Sequence, residues 1–497
     1  MAARDDLPHQ DFFLRPTGLA LLILGLTAIR AYVAANTHFV EDEAYYRIWG
    51  LYPALSYYDH PPMIGWWIAA GQAIFGDTVL AVRALVIASG VIGSLALWRT
   101  SALLFGPRTA GWSVLFLNTT ILVGVGGILA TPDAPSVLFW GLALWALAEL
   151  SASRNPVWWL VVGLMAGLGL LSKYSVLFLG AGIVLWLIWV PEARRWWRCW
   201  QLWAGGAIAM LLFLPVLYWN HLHDWASFAK QFGRAGGTGF TAKYIFEFIF
   251  GLIGLFNPML SLVALAGSTW LWKRLVVREN AASLLMLTVL PFMIYLLYHS
   301  LHARVQGNWP APLYPAFAMM AAVFVVDRSG YWEPWLRWTK YGVALGLMAS
   351  AGSQLHALHP LTGEIGRADP TAQMRGWPEI GDRLRGIARR DGAAFVATSS
   401  YGLNGQLDFL LKDDLPVIQL TERIRYVMQP EPDPALFERG GLYVAEARRD
   451  KADNLEAVFA RVEKLAELPR SVDGKELESL VVYRLGEPLG PVVGQID

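Results

Sequence analysis

The sequence has one cysteine, Cys199, which excludes an internal disulfide. No pair of CxxC motifs offers a zinc site, and the chain contains neither a glycine-rich phosphate loop nor a Walker sequence. Charged residues make up only 16% of the chain and the formal net charge is +1. There is therefore no basic field that would attract nucleic acid, and no sequence signal for nucleotide binding.

Long apolar runs dominate what is present. The hydrophobic class holds 55% of the residues and the mean hydropathy is +0.40. Because about 20 apolar residues cross a bilayer, these runs predict a polytopic membrane protein of about eleven spans. The first run is longer than the core of a cleaved signal, so we interpret it as a retained span. The predicted spans lie near residues 17–35, 78–98, 109–127, 133–150, 156–171, 175–190, 201–219, 246–268, 281–299, 310–327 and 338–354.

Lysine and arginine are distributed unevenly between alternate connections. One set of short connections holds twelve of them and the other set, although longer in total, holds six. The rule that positive charges stay inside assigns the first set to the cytoplasm. The second set, which includes the catalytic candidates, faces out: residues 37–77, 128–132, 172–174, 220–245 and 300–309.

Hydropathy drops after the last predicted span. We therefore predict two parts, a transmembrane domain over residues 1–354 and a C-terminal soluble α/β domain over residues 355–497 on the outer side. The expected fold class is mainly α, a polytopic membrane helix bundle with this appended domain. Within the domain the pattern predicts strands at Ala393–Thr398, Pro416–Leu420, Leu442–Ala445 and Leu480–Arg484, and helices near 373–390, 402–411 and 451–467.

Nearly every unusual polar residue falls in an outer connection. An acid pair, Asp42-Glu43, follows the first span, and carboxylates there seldom face lipid, so we expect a wet cavity. The other outer polar residues are Asp59 and His60, Asp133, Lys173, His221, His223, Asp224, Lys230 and Arg234, and finally His302, Arg304, Gln306 and Asn308.

Some of these residues have a purely structural alternative. Asp133 could cap the helix that follows it, and Lys173 could be a charge that extends to the membrane surface. The spacing of His221 and His223 specifies no metal, so they could belong to an ordinary wet loop.

The first outer loop is harder to explain by capping. A cap needs one acid, whereas this loop supplies Glu41, Asp42, Glu43 and Asp59. In the same loop, two consecutive prolines are expected to begin an interfacial helix over Met63–Phe75.

Several motifs carry a family resemblance over about residues 17–330. They are Asp42-Glu43-Ala44-Tyr45-Tyr46, Tyr58-Asp59-His60-Pro61-Pro62, Thr131-Pro132-Asp133, Gly169-Leu170-Leu171-Ser172-Lys173-Tyr174 and Gln306-Gly307-Asn308-Trp309-Pro310-Ala311-Pro312. Together they resemble the bacterial GT-C glycosyltransferases related to the lipid A aminoarabinose transferase and the protein O-mannosyltransferases.

This resemblance implies transfer of one sugar from a polyprenyl monophosphate at the outer face of the inner membrane. Asp42 matches the family's proposed catalytic acid. Two positions depart from the aminoarabinose transferase: His60 stands where it has a lysine, and Tyr45 stands where it has an arginine. The first departure weakens the case for phosphate binding at that position, and the second suggests a different sugar or acceptor.

The chemistry assigns roles to the candidates. Asp42 is the general base that takes the acceptor's proton, which is worth roughly 100- to 10,000-fold in rate. Cations stabilise the phosphate that leaves, and our candidates are Lys173 and Arg304, with His60 and Arg234 in reserve. Direct displacement implies inversion, and a covalent route stays open at this point. The remaining substrate-binding candidates are Glu43, Tyr45, Tyr46, Tyr57, Tyr58, Asp59, Asp133 and Asn308, whose tyrosines offer flat faces to the sugar or the isoprenyl stem.

Two alternatives from other classes remain at this point. A lipid-linked sugar flippase would place ionisable residues near the bilayer midplane, and a non-catalytic protein would only bind polyprenyl lipids. The expected partners are the polyprenyl phosphate-linked sugar, membrane lipids and a lipid or glycan acceptor, with lipid A or lipopolysaccharide core ahead of another envelope glycan and of protein Ser/Thr. The sequence assigns no cofactor and leaves a divalent metal open. The expected location is the bacterial inner membrane.

Overall fold

A computed structural model describes residues 14–233, 239–328, 333–361, 366 and 368–493. The chain divides into two compact units. The first unit is built from residues up to Tyr32, from Asp59–Ile64 and from Leu85–Gln354. The second unit comprises Val33–Tyr58, Gly65–Ala84 and the residues from Leu355 onwards.

Helices make up most of the described chain before residue 360. They begin and end where proline, glycine and asparagine interrupt the apolar runs. Their bounds are α1 (Pro16–Ala35), α2 (Glu41–Leu51), α3 (Met63–Phe75), α4 (Val79–Phe105), α5 (Pro107–Asn118), α6 (Ile121–Gly126), α7 (Asp133–Ser153), α8 (Trp158–Leu170), α9 (Leu177–Trp189), α10 (Trp200–Leu222), α11 (Ala226–Gly233), α12 (Lys243–Phe256), α13 (Pro258–Val276), α14 (Asn280–Ser300), α15 (Tyr314–Arg328) and α16 (Glu333–Leu358).

Six helical segments among the described residues are long and apolar enough to cross a membrane, and the pair α12 and α13 would add a seventh. Each predicted span overlaps a helix or a pair of helices. The protein is thus a multi-pass membrane protein. The predicted helix Met63–Phe75 is confirmed as α3.

Two predicted spans are not single straight helices. The segment predicted at 246–268 bends by 104° between α12 and α13. The bend lies at Asn257, whose φ is 118° and whose side-chain oxygen accepts hydrogen bonds from the N–H groups of Met259 and Leu260 at the start of α13. The segment predicted at 109–127 is divided into α5 and α6, because the Thr120 side chain caps α6.

The second unit contains a five-stranded sheet. Its strands are β1 (Val396–Thr398), β2 (Val417–Gln419), β3 (Gly441–Glu446), β4 (Phe459–Val472) and β5 (Lys475–Pro488), with helices α17 (Trp377–Asp391), α18 (Tyr401–Leu411) and α19 (Pro434–Glu438). The spatial order is β2-β1-β3-β5-β4, with β1 parallel to both neighbours and β5 antiparallel to β3 and β4. Each predicted strand coincides with an observed one.

The helix predicted near 451–467 is wrong. Short 3₁₀ turns are followed there by β4, which pairs with β5 along its length. The segment carries helix-forming Glu, Lys, Ala and Leu at helical spacing. Pairing across the tight turn at Asp473-Gly474 overrides that local preference.

Helix α18 packs against α2 at very short range within the second unit. An added side-chain carbon at Gly405 would lie 2.5 Å from the Ala44 carbonyl carbon and 2.6 Å from the Tyr45 nitrogen. The Gln406 amide donates a 3.0 Å hydrogen bond to the Phe39 carbonyl. Glycine at position 405 therefore permits the two helix backbones to touch.

Candidate active site

The acid pair lies in the first turn of α2, and its two carboxylates have different surroundings. Asp42 is exposed, and the Tyr401 hydroxyl at the start of α18 donates a 3.0 Å hydrogen bond to its Oδ1. Burial and the neighbouring Asp42 carboxylate raise the pKa of Tyr401, which keeps this phenol protonated as a donor. Asp42 is therefore both accessible and oriented.

Glu43 is fully buried and forms an ion pair with Arg83 near the start of α4. The Arg83 Nε donates to Glu43 Oε1 at 2.8 Å and its Nη2 to Oε2 at 2.5 Å. The same guanidinium donates to the carbonyls of Ala34 and His38 and to the Thr37 hydroxyl. Glu43 also accepts from the Val40 N–H, so it caps α2 as well. These contacts give Glu43 a structural role beside Asp42.

Most tyrosines of the α2 region are packed inside the second unit. Tyr57 is stacked on Trp49 with ring centroids 4.0 Å apart and donates to the Trp49 carbonyl at 2.9 Å. Tyr45 and Tyr46 are also buried, and the Tyr45 hydroxyl donates to the Arg425 carbonyl. Tyr58 is half-buried. Among these four substrate-binding candidates, Tyr58 thus presents the most accessible ring.

Arg425 joins the aromatic residues of this region. Its guanidinium lies 4.7 Å from the ring centre of Tyr401, 5.5 Å from that of Tyr58 and 5.9 Å from that of Tyr45. Its Nε donates to Glu422 at 2.7 Å. Cation–π contacts of this kind fix the orientation of both partners. The wall beside Asp42 therefore includes Tyr401 and Arg425 from the C-terminal part of the chain.

A second polar cluster lies in the first unit, around Asp133 at the start of α7. The Lys173 ammonium donates to Asp133 Oδ1 at 2.5 Å, and the Asn308 amide donates to Oδ2 at 2.6 Å. Pro132 is the N-cap of α7 and the Asp133 carboxylate makes no cap hydrogen bond. The capping alternative for Asp133 is therefore not what the structure shows, and Lys173 points to a carboxylate.

Asp59 and His60 lie in the same unit. Lys230 of α11 forms an ion pair with Asp59, and the Gln231 amide donates to the Asp59 carbonyl. Burial lowers the pKa of His60 to about 4, and the charge of Lys173 contributes in the same direction. At neutral pH His60 is thus uncharged, which favours a hydrogen-bonding role over that of a phosphate-binding cation.

The remaining sequence-predicted candidates make no described contact with the Asp42 or Asp133 carboxylates. Arg304 is 74% exposed and its Nε pairs with Glu247 at 3.1 Å. Arg234 lies outside the described residues. His223 is stacked on Trp219 and contacts the Trp219 carbonyl at 2.8 Å. Within the described part of the chain, no group of three or more His, Cys, Asp and Glu residues could hold a metal ion.

Comparison with known proteins identifies the class of enzyme. A family model described as dolichyl-phosphate-mannose-protein mannosyltransferase matches residues 59–219. The lipid A galacturonosyltransferase RgtD of Rhizobium johnstonii is 26% identical over 411 residues, which cover 80% of this chain and 83% of that protein. The chain is a membrane glycosyltransferase, and it resembles enzymes of the GT-C type.

This glycosyltransferase is also similar to aminoarabinose transferases. The undecaprenyl phosphate-alpha-4-amino-4-deoxy-L-arabinose arabinosyl transferase of Edwardsiella ictaluri is 28% identical over 283 residues, and the chain spans 49% of its length. The fold matches that of apo ArnT from Cupriavidus metallidurans, with a TM-score of 0.64, 16% identity and coverage of 94% of this chain and 98% of that one. These comparisons give no support to the flippase alternative.

Three residues of the glycosyltransferase's polar clusters were missed by sequence reasoning. Arg83 falls inside a predicted span, and a charge in an apolar run was the available signal. Tyr401 and Arg425 carry no such signal, because they are more than 350 residues from Asp42 in the chain and meet it only through folding.

Proposed function

We propose that this glycosyltransferase moves one sugar from a polyprenyl monophosphate donor to an envelope acceptor, with lipid A or lipopolysaccharide core as the favoured acceptor. The observation that supports this most directly is the similarity to a lipid A galacturonosyltransferase along 80% of the chain. The similarity to undecaprenyl phosphate-dependent arabinosyl transferases supports the same donor chemistry.

Asp42 is the proposed general base. It is the exposed member of the acid pair, and the Tyr401 hydroxyl donates a 3.0 Å hydrogen bond to its Oδ1, which helps to fix the orientation of the carboxylate. The acceptor hydroxyl gives its proton to Asp42, its oxygen bonds to the anomeric carbon, and the bond from that carbon to the phosphate oxygen breaks. The lipid phosphate leaves with the electron pair, and the product has inverted configuration.

The Asp133 cluster is the proposed partner of the leaving phosphate. Lys173 is held by Asp133 at 2.5 Å, and a cation held in advance costs no reorganisation when negative charge develops. Asn308 keeps the second Asp133 oxygen engaged and so fixes the carboxylate. Arg304 contributes a screened, surface charge in this scheme.

We further propose the finer topology predicted from the sequence. It has about eleven spans, a transmembrane domain at 1–354, a C-terminal domain at 355–497 and an orientation that places both the outer loops and that domain in the periplasm. The asymmetry of lysine and arginine supports it. With Cys199 replaced, a cysteine at Ala303 should react with an impermeant thiol reagent from outside, and one at Asn155 should not. The reverse pattern would contradict the orientation.

Turnover with purified protein tests the function. The protein is given lipid A and a polyprenyl phosphate carrying galacturonic acid or 4-amino-4-deoxyarabinose, and the products are analysed by mass spectrometry. We expect lipid A to gain the mass of one sugar with one of the two donors, and no gain with Asp42→Asn protein.

Cells supply the matched comparison. Envelope lipids from cells with and without the gene should differ by the same single sugar. If neither purified protein nor cells modify lipid A, and a protein or another glycan gains the sugar instead, the acceptor assignment is wrong while the donor chemistry stands.

A further inference from the structure

Three arginines in or beside the first membrane helices are almost completely buried, and two of them are fully compensated. Arg83 donates to Glu43 and to three further oxygens. Arg47 is held between Asp77 and Asp408. These two satisfy the rule that a buried guanidinium needs a counter-charge and hydrogen-bond acceptors.

Arg30 of α1 is the exception. It is only 3% exposed, and its Nε has no hydrogen-bond partner in the part of the chain that the structure describes. No carboxylate among those residues pairs with it. A buried cation without compensation is strongly unfavourable, so the fold gains nothing from this side chain on its own.

Two glycines lie close to the Arg30 guanidinium. An added side-chain carbon at Gly127, just after α6, would lie 3.4 Å from the Arg30 Nε. One at Gly90 of α4 would lie 3.6 Å from Nη1, with no other atom within 4 Å. Two glycines, one in α4 and one directly after α6, thus lie next to the guanidinium and place no side chain against it.

The depth of Arg30 suits a lipid headgroup. It is five residues before the end of α1, or about 7 Å along the helix axis. Gly127 lies directly after the last residue of α6, at the start of a connection that the charge distribution assigns to the outer side. The guanidinium is therefore expected just below the membrane surface, where the phosphates of lipids lie and a soluble anion would enter poorly.

We propose that Arg30 binds a phosphate carried by a lipid. The guanidinium offers parallel N–H donors that match two phosphate oxygens, and the phosphate supplies the negative charge that the protein does not. Lys173 and Lys230 each contact a carboxylate, whereas Arg30 has no carboxylate partner among the described residues. The proposal stands whether or not Asp42 is the base.

Binding in micelles of an uncharged, phosphate-free detergent tests the proposal. Delipidated protein is titrated separately with a polyprenyl phosphate and with phosphatidylglycerol, and affinity and the thermal midpoint are measured. The variants are Arg30→Met and Arg30→Lys. Arg99→Met is the matched control, because it removes one positive charge from an exposed surface pair.

We expect wild type and Arg99→Met to bind with equal affinity, and Arg30→Met to bind at least tenfold more weakly. Arg30→Lys should fall between them, because lysine keeps the charge without the planar fork. Without lipid, Arg30→Met should unfold at a higher temperature than wild type, since it removes an uncompensated charge. Dependence on Arg30 for polyprenyl phosphate alone identifies the polyprenyl lipid as the ligand, and dependence for phosphatidylglycerol identifies a bilayer phospholipid.

Two results would overturn the proposal. The first is equal affinity of wild type and Arg30→Met for both lipids. The second is a lipid-free Arg30→Met protein that is less stable than wild type or fails to fold, because the guanidinium would then be stabilised by the protein itself. Neither result would bear on sugar transfer by Asp42, so the two proposals can fail independently.

Discussion

The α2 region and the Asp133 cluster both combine carboxylates with cations, but they distribute the charges differently. In the α2 region the buried Glu43 binds Arg83 through both carboxylate oxygens, and the adjacent Asp42 is exposed and accepts a hydrogen bond from the Tyr401 phenol. In the Asp133 cluster the carboxylate is engaged at both oxygens, by Lys173 and by Asn308.

This difference separates two kinds of task. A group that accepts a proton must be reachable by the acceptor. A group that stabilises a leaving phosphate must instead be positive and held in place, and a carboxylate partner can hold it. The proposed division, with proton transfer in the first region and charge stabilisation in the second, rests on this difference.

The largest expected effect concerns Asp42. Asp42→Asn keeps the size of the side chain and can still accept the Tyr401 hydrogen bond, but it cannot take a proton. We expect kcat to fall roughly 100- to 10,000-fold while donor affinity stays within a fewfold of wild type. Single-turnover rates and donor titration measure both quantities. Activity close to that of wild type would remove Asp42 from the role of base.

The ion pair beneath Asp42 is expected to behave as structure. Arg83→Met leaves Glu43 buried without its partner, and breaking a buried pair on one side costs about 3–5 kcal/mol. Thermal unfolding should show this loss in Arg83→Met and Glu43→Gln alike, while Asp42→Asn unfolds like wild type. If Glu43→Gln were as stable as wild type but inactive, Glu43 rather than Asp42 would be the reactive acid.

The Asp133 cluster is tested through Lys173. Lys173→Met should weaken polyprenyl phosphate binding about tenfold or more, because a charged hydrogen bond is worth about 1.5–3 kcal/mol. Lys173→Arg should retain part of the affinity. Asp133→Asn combined with Lys173→Met is the control: recovery of affinity in the double variant would show that Lys173 only neutralises Asp133.

A smaller effect is expected from the hydroxyl that orients Asp42. Tyr401→Phe preserves the ring contacts with Arg425 but removes the 3.0 Å hydrogen bond, so kcat should fall a few-fold to about tenfold with little change in KM. The acidic limb of the pH–rate profile should move to higher pH, because the carboxylate loses a donor that stabilises its charged form. An unchanged profile would limit Tyr401 to packing.

The smallest expected effect concerns His60. If it were protonated, it would add a second positive charge near Lys173 and change the charge balance of the Asp133 cluster. Its folded-state pKa of about 4 lies below the ordinary value, so the unfolded chain is protonated first as the pH falls. The resulting stabilisation is fully present above about pH 6.5 and is lost as the pH falls towards 4. The charged groups that act on this imidazole stay unchanged in the variant: Asp59, Asp133, Lys173 and Lys230. In His60→Gln the fall of the thermal midpoint over that window should be shallower, and donor affinity at neutral pH should not change. A tenfold loss of affinity at pH 7 would restore His60 as a phosphate ligand.

Helix positions could be predicted from the sequence where local signals were strong. Pro61-Pro62 correctly placed the start of α3, and apolar runs correctly placed helices at the predicted spans. The sequence pattern does not reveal α2 as a helix, because three acids in its first turn and its tyrosines hide the apolar period. It predicts a helix where β4 lies, because strand pairing is a non-local effect.

The candidate site divides in the same way. Asp42, Lys173 and Asn308 could be proposed because short motifs surround them, and their roles stay predictions. Tyr401 and Arg425 could not, since only tertiary folding brings them to α2. Arg30 and Arg83 are recognisable in the sequence as charges inside apolar segments. The structure then distinguishes them, because Arg83 has hydrogen-bond partners and the Arg30 Nε has none among the described residues.

The contact at Gly405 links the position of α18, in the C-terminal part of the chain, to that of α2. Because a side-chain carbon added at Gly405 would lie only 2.5 Å from the Ala44 carbonyl carbon, any larger residue at position 405 would push α18 and α2 apart. Any displacement of α18 is then transmitted directly to the first turn of α2, without side chains that could absorb it. We therefore expect a shift of α18 to move Asp42, the proposed proton acceptor, as well.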